Sequence, residues 1–157
     1  MTLNDVDKVL VVVRRFQTVA RQLQARKKGR EGQTIVLNDE YDVQDLLHGL
    51  LKMFFDDVRP EEWTPAYAGG AARMDFLLKK ERTVVEVKKT RSGLGEKEVG
   101  DQLIQDIVKY GEHKDCGTLV CFVYDPEARI GNPRGLEADL SKMSTEKLTV
   151  IVVVAPG

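Results

Sequence analysis

Three side chains suited to phosphate chemistry lie within one short segment, Met74–Lys89, which reads M-D-F-L-L-K-K-E-R-T-V-V-E-V-K-K. The pattern predicts two short apolar strands joined by a charged turn, with Asp75 in the first strand and Glu86 and Lys88 in the second. Residues two apart in a strand project from the same face. Two carboxylates and an ammonium on one sheet face fit a site for a divalent metal and a phosphate.

Phosphodiester hydrolysis requires a water made nucleophilic and a pentacovalent phosphate that is stabilised. Mg²⁺ binds hard oxygen ligands, usually a few carboxylates and several waters. It lowers the pKa of a bound water and screens the charge that develops on the phosphate. In this interpretation Asp75 and Glu86 hold Mg²⁺, joined by the Val87 carbonyl. Lys88 then orients the water or neutralises charge at the phosphate.

The triplet Glu86-x-Lys88 has little weight by itself, because Glu112-His113-Lys114 has the same form in a polar loop. Its surroundings distinguish it: it lies in a β-branched strand, and Lys89 and Arg91 follow it. Asp75 is also the single acid of an apolar run. The structural alternative is an exposed strand face that carries a cross-strand salt bridge.

Apolar periodicity predicts the elements that would position these residues. Four helices are predicted, over residues 3–27, 38–55, 96–110 and 132–143. Outside the Met74–Lys89 segment, strands are predicted over residues 62–67, 118–124 and 148–154. This order predicts an α/β fold, a mixed central sheet flanked by helices. It spans residues 34–157, after an amphipathic N-terminal helix and basic linker over 1–33.

The helix over 96–110 has an apolar side and a polar flank. The predicted inward side chains are Val99, Leu103, Ile104, Ile107 and Val108. The flank at four-residue spacing carries Gln102, Asp106 and Tyr110, and solvation or capping is the favoured interpretation of it.

Bulk properties limit the partners and the compartment. The net charge of −1 means that a nucleic acid would have to be held by local basic patches. Cys116 and Cys121 lie on or near one predicted strand, a poor arrangement for a disulfide, which favours a reduced, cytoplasmic chain. The apolar run Val9–Val13 is too short to span a bilayer, so no membrane partner is expected.

The spacing Asp75, ten residues, Glu86-x-Lys88 resembles the bipartite motif of the PD-(D/E)XK nuclease superfamily, which has the restriction-endonuclease-like fold. The runs N-D-E-Y-D-V-Q-D-L-L-H, R-M-D-F-L-L, V-V-E-V-K and F-V-Y-D-P are similar to nuclease domains related to DpnII/MboI-type restriction enzymes. The likeness covers residues 38–155, and Met74 stands where the superfamily motif has a proline.

The resemblance implies a Mg²⁺-dependent deoxyribonuclease of a restriction or defence type, with Mn²⁺ able to substitute and endonuclease action favoured over exonuclease action. It implies accessory roles for Glu40 on the preceding helix and Gln102 on the following one. Arg73, Lys89 and Arg91 are the candidate nucleic-acid contacts. DNA is the expected partner with RNA left open, and the N-terminal helix is expected to pair two copies or join other domains.

Two other functions remain open at the level of sequence. A restriction-endonuclease-like fold can serve as an inactive nucleic-acid-binding or scaffold domain, because fold does not fix function. Retention of all three motif residues argues against that. Asp75 and Glu86 could instead be the acid pair of a hydrolase acting on sugars, although binding sugar gives Lys88 no evident role.

Overall fold

The computed structural model describes residues 2–25, 29–32, 35–60 and 74–156. Its helices are α1 (Asp5–Gln24), α2 (Glu40–Leu51), α3 (Glu96–Gly111) and α4 (Pro133–Ser141). Its strands are β1 (Arg59–Pro60), β2 (Phe76–Leu78), β3 (Thr83–Lys89), β4 (Thr118–Tyr124) and β5 (Thr149–Ala155). In the ranges given, no helix combines the length and the apolar character that a membrane crossing needs.

The five strands form one mixed sheet in the order β1-β2-β3-β4-β5. The pairs β1–β2 and β2–β3 are antiparallel, whereas β3–β4 and β4–β5 are parallel. The register aligns Lys89 with Tyr124 and Tyr124 with Ala155, so the three parallel strands end at the same edge of the sheet. This mixed sheet with its helices confirms the predicted α/β fold class.

Helices cover both faces of the sheet, because successive side chains of a strand alternate between faces. On one face, Val85 and Val87 of β3 share a core with α1 and α2. On the other face, Val84 and Cys121 share a core with α3 and α4. Strands covered on both faces have continuous apolar runs rather than alternating ones, which is why T-L-V-C-F-V-Y was recognisable as a strand.

Three helices, α1, α2 and α4, begin within two residues of their predicted starts, each after a side chain that caps the helix. Asn4 accepts a hydrogen bond from the Asp7 N–H at the start of α1. Asp39 and Asp42 form a capping box at the start of α2. Asn132 caps α4 and Pro133 follows as its first residue. A side-chain acceptor at this position satisfies backbone donors that the helix itself leaves unpaired.

Several predicted boundaries were wrong. α2 ends at Leu51 rather than near residue 55, and a turn follows it. Asp75 lies just before β2 rather than within a strand. β1 (Arg59–Pro60) lies where no strand was predicted. The strand predicted over 62–67 lies outside the described residues.

The prediction that Ile104 and Val108 face inward was also wrong, since they are 41% and 54% exposed. The buried residues of α3 are instead Val99, Leu103 and Ile107, with Tyr110. This spacing of three or four residues defines a narrow buried stripe along one side of α3. Ile104 and Val108 each lie one residue further along, about 100° around the helix, which turns them towards solvent.

Helix α1 packs directly on the sheet. Val9, Val13, Phe16 and Ala20 are fully buried. The Phe16 ring lies 5.0 Å from that of Phe122, measured between centroids. These side chains share a core with α2 and β3. The division of the chain at residue 33 stays a prediction, and the stability of α1 variants can test it.

We expect Phe16→Ala to lower the free energy of unfolding by about 3–5 kcal/mol, because it removes a fully buried ring from a shared core. Phe54→Ala is the matched control, since Phe54 is 43% exposed, and it should cost less than about 1 kcal/mol. Urea denaturation measures both. Equal losses for the two variants would show that α1 is not part of the cooperative core.

Candidate active site

The candidate site lies where β3 extends beyond its pairing with β2. That pairing ends at Phe76↔Val85, whereas β3 continues to Lys89. Carboxylates bind the next backbone donors of β3. Oδ2 of Asp75 accepts from the Val87 N–H at 2.7 Å, and Oε2 of Glu40 accepts from the Lys89 N–H at 3.2 Å. Side chains thus replace a neighbouring strand at this point, and they bring two acids to the edge of β3.

Asp75 is held through both carboxylate oxygens. Besides the Val87 contact of Oδ2, its Oδ1 accepts a hydrogen bond from Nε2 of Gln44 at 3.1 Å. Gln44 and Glu40 lie one turn apart on α2, whose first turn is fixed by its capping box. Burial raises the pKa of Glu40, although the Lys89 N–H and Lys88 both favour its charged form. α2 therefore carries one site acid, Glu40, and holds a second, Asp75, through the side-chain amide of Gln44.

Glu86 is a buried carboxylate, only 4% exposed. Its Oε1 accepts hydrogen bonds from the hydroxyl of Tyr110 and, at 3.4 Å, from the Asp75 N–H. Burial raises the pKa of Glu86 well above its ordinary value, and the negative charges of Asp75 and Asp106 raise it further. Ionised Glu86 is consequently costly in this position unless a cation offsets its charge.

Lys88 supplies one such positive charge. Its Nζ lies 3.4 Å from Oδ2 of Asp106, with both side chains mostly buried. That oxygen has no hydrogen-bond partner within the described part of the chain, so the contact is an ion pair without hydrogen-bond geometry. Burial alone lowers the pKa of Lys88, but the surrounding carboxylates, Asp106 foremost, outweigh it and raise that pKa. Lys88 is therefore a firmly protonated ammonium.

A cleft of about 510 Å³ opens beside these residues. The residues on its walls include Asn38, Asp39, Glu40, Tyr41, Gln44, Asp75, Lys89, Arg91, Leu94 and Gln102. Glu86 and Lys88 are not among these lining residues, since the side chain of each is largely buried. The cleft thus joins the edge of β3 to solvent between α2 and α3.

The structure brings most of the predicted site residues together. Asp75, Glu86 and Lys88 converge as predicted, and Glu40 joins them at the edge of β3. The alternative of an exposed strand face does not describe β3, because Glu86 is buried. The predicted contacts Lys89 and Arg91 line the cleft. Arg73 lies outside the described residues.

Asp106, Tyr110 and Gln44 were not among the predicted site residues, but each contacts one of the three motif side chains. Asp106 and Tyr110 contact Lys88 and Glu86, although their flank of α3 had been interpreted as solvated. Gln102 belongs to that flank and lines the cleft, but it is exposed. The signal in the sequence was the four-residue spacing of Gln102, Asp106 and Tyr110, which places them on one side of α3. Gln44 follows Glu40 at the same spacing on α2.

The donor set fits a hard divalent cation such as Mg²⁺. The negative charge of Asp75 helps to raise the pKa of Glu86, and a cation between the two carboxylates would relieve their repulsion. The N–H and C=O of a strand residue face the same neighbour, so the Val87 carbonyl faces the same side as its N–H, which Asp75 binds. The described residues contain no group of three or more His, Cys, Asp or Glu that could hold a metal. Mg²⁺ needs only one or two carboxylates and keeps several waters.

The mixed sheet with its flanking helices is consistent with the restriction-endonuclease-like fold of PD-(D/E)XK-type nucleases. Comparison with protein families supports this class, since the model described as REase_DpnII-MboI matches residues 7–157. The chain belongs to the DpnII-MboI restriction endonuclease family, which confirms the predicted relationship. Membership implies a DNA endonuclease with DNA as its substrate. Comparisons with curated proteins and with solved structures gave no match.

We expect Glu86→Gln to be more stable than the parent protein at pH 7–8 in EDTA. A carboxyl with a raised folded-state pKa binds more protons folded than unfolded, so the free energy of unfolding falls as pH rises from about 4.5 through the folded pKa. Each unit of elevation corresponds to about 1.4 kcal/mol. Glutamine keeps the shape of the side chain and removes the charge.

Urea denaturation across pH 4.5–8 tests this expectation. The stability difference should shrink towards the acid end, where Glu86 is protonated in the folded protein. Glu112→Gln is the matched control, because Glu112 is exposed and also precedes a lysine by two residues. A Glu86→Gln variant that is less stable than the parent at pH 8 would contradict the buried-charge interpretation.

Proposed function

We propose that this chain is a Mg²⁺-dependent DNA endonuclease in which Asp75 and Glu86 hold the metal, with the Val87 carbonyl as a further ligand. Lys88 orients the attacking water. The observation that carries the proposal is the convergence of all three motif side chains at the point where β3 leaves β2, each held by contacts from another element. Mn²⁺ is expected to substitute for Mg²⁺.

The cation, when bound, supplies a water of lowered pKa and offsets charge on the phosphate. The protein's part is to position the reacting groups. Tyr110 fixes Oε1 of Glu86, and Gln44 with the Val87 N–H fixes Asp75. These contacts remove rotamer freedom before the substrate arrives, so less order has to be created on binding.

Lys88 acts as a fixed positive charge. Its raised pKa keeps it protonated, so it donates hydrogen bonds to the attacking water or to a phosphate oxygen and does not act as a base. Asp106 holds Nζ by charge attraction at 3.4 Å. Because that ion pair lacks hydrogen-bond geometry, the donors of Nζ can turn towards a ligand without breaking a strong bond.

The cleft walls provide the remaining roles. Glu40 would serve as an accessory acid, reaching the metal directly or through water, and Gln102 would line the site from α3. Lys89 and Arg91 bind phosphates next to the scissile one, since cations on the cleft wall are what a polyanion requires. The proposal also includes a cytoplasmic restriction or defence role, and association with a second copy or another domain through α1.

Cleavage of plasmid DNA should require Mg²⁺ or Mn²⁺ and should stop when EDTA is added. Asp75→Asn, Glu86→Gln and Lys88→Ala should each reduce the cleavage rate by at least about a hundredfold, because each removes a charge from the reacting centre. Gel analysis of nicked and linear plasmid measures the rate.

The chain contains its own matched controls for this experiment. Glu112→Gln and Lys114→Ala alter an acid-x-lysine triplet of the same form that lies outside the site. Both should cleave at the parental rate. Activity that survives Glu86→Gln and Lys88→Ala would refute the assignment of these residues.

Mg²⁺ should also raise the melting temperature of the folded protein. A ligand at about one hundred times its Kd adds about 2.7 kcal/mol, which is about 5–10 °C for a chain of this size. Glu86→Gln should lose this Mg²⁺-dependent shift, whereas Glu112→Gln should keep it. Differential scanning calorimetry measures both. An inactive DNA-binding domain would instead bind DNA and show no Mg²⁺-dependent shift.

A further inference from the structure

A second groove, of about 420 Å³, runs along the outer edge of β5 between α1 and α4. The residues that line it are Arg14, Gln17, Thr18, Arg21, Arg134, Glu137 and residues 152–156. The α1 members fall at positions i, i+3, i+4 and i+7, so they form one face of that helix. The groove is separate from the cleft beside β3 and shares no lining residue with it.

Positive charge dominates this groove, with three arginines against one glutamate. Arg134 is paired with Glu137 at 2.6 Å. Arg14 and Arg21 are exposed and form no ion pair with a carboxylate of the described residues. Two uncompensated guanidinium groups about 10 Å apart along a helix suit a ligand with repeated negative charges.

The backbone edge of β5 is already occupied, which argues against an added strand from a second copy. The Val154 N–H donates to Oε2 of Glu137 at 2.8 Å, and Nη2 of Arg134 donates to the Val154 carbonyl at 3.3 Å. Near the start of β5, the Val150 N–H donates to Oγ of Ser144 at 2.9 Å. Side chains that bind the edge in this way block strand pairing.

The groove opens at the same edge of the sheet as the candidate active site. Ala155 is in register with Tyr124, and Tyr124 with Lys89. Two strand spacings place the backbones of Lys89 and Ala155 about 10 Å apart. That span is about three base steps of a DNA strand. Between them, Glu127 is paired with Arg129 at 3.6 Å, which limits its repulsion of a polyanion.

We infer that this groove holds two backbone phosphates of the DNA substrate, a few nucleotides from the scissile bond, one at Arg14 and one at Arg21. The inference rests on the proposed function, because it assumes that DNA occupies the cleft beside β3. It adds a sequence-independent contact that fixes where the duplex lies relative to the metal ligands.

The test is the salt dependence of DNA binding, measured by fluorescence anisotropy with a duplex in the cleavage-silenced Glu86→Gln background. Each phosphate contact contributes about 0.9 to the slope of log K against log salt. The double variant Arg14→Gln/Arg21→Gln should make that slope less steep by about 1.8. It should also weaken DNA binding at 0.1 M salt by at least about tenfold. Lys79→Gln/Lys80→Gln removes the same charge from the exposed β2–β3 turn and should leave the slope unchanged.

A charge-preserving variant, Arg14→Lys/Arg21→Lys, separates charge from packing and should keep the parental slope. The inference would be overturned if Arg14→Lys/Arg21→Lys made the slope as shallow as Arg14→Gln/Arg21→Gln does. It would also be overturned if Arg14→Gln/Arg21→Gln and Lys79→Gln/Lys80→Gln had equal slopes. A parent chain that sediments as a dimer, and becomes monomeric on Arg14→Gln/Arg21→Gln, would assign the groove to a second copy instead. If the parent protein cleaves DNA but the Arg14→Gln/Arg21→Gln and Lys79→Gln/Lys80→Gln variants have equal salt slopes, the groove inference is wrong and the proposed function stands. If the parent protein does not cleave DNA, the proposed function itself is contradicted.

Discussion

The hydrogen bond from the Val87 N–H to Asp75 is the contact on which the site depends. β2 pairs with β3 only as far as Phe76↔Val85, and a backbone donor beyond that point still needs an acceptor. The Asp75 carboxylate meets that need at 2.7 Å. The same contact draws the acid against Glu86. The Asp75 side chain therefore satisfies a backbone donor of the sheet, and the same contact brings it beside Glu86 in the candidate site.

Electrostatics set the opposing constraint. Glu86 and Asp106 are largely buried, and burial raises the pKa of both. Lys88 offsets only part of this negative charge, so the folded protein keeps an excess of buried carboxylates on the α3 side of the sheet. Natural sites commonly tolerate such local destabilisation where a ligand relieves it. The extensive apolar cores on both faces of the sheet supply the stability that this tolerance requires.

Local signals made much of the fold predictable. Asn4, Asp39 and Asn132 mark helix starts through hydrogen bonds to residues three positions away, and the apolar run of β4 needs no knowledge of its neighbours. Asp75, Glu86 and Lys88 could be found because each of the two acids interrupts an otherwise apolar run of the sequence. The roles of Asp106 and Tyr110 could not, because they depend on which flank of α3 meets β3. The orientation of α3 that turns Asp106 and Tyr110 towards β3 also leaves Ile104 and Val108 exposed. Periodicity reveals that a helix has a polar flank but not what that flank faces.

The site is assembled from segments far apart along the chain. Gln44 reaches Asp75 across 31 residues, Glu40 reaches the Lys89 N–H across 49, and Tyr110 reaches Glu86 across 24. During synthesis, a chain that has just completed β3 contains Asp75 and Glu86 but neither Asp106 nor Tyr110 to hold Lys88 and Glu86. Non-local contacts form late, because chain entropy opposes them until the core closes. The contacts that hold Glu86 and Lys88 therefore cannot form until α3 has been synthesised, and the site is complete only once the fold is complete.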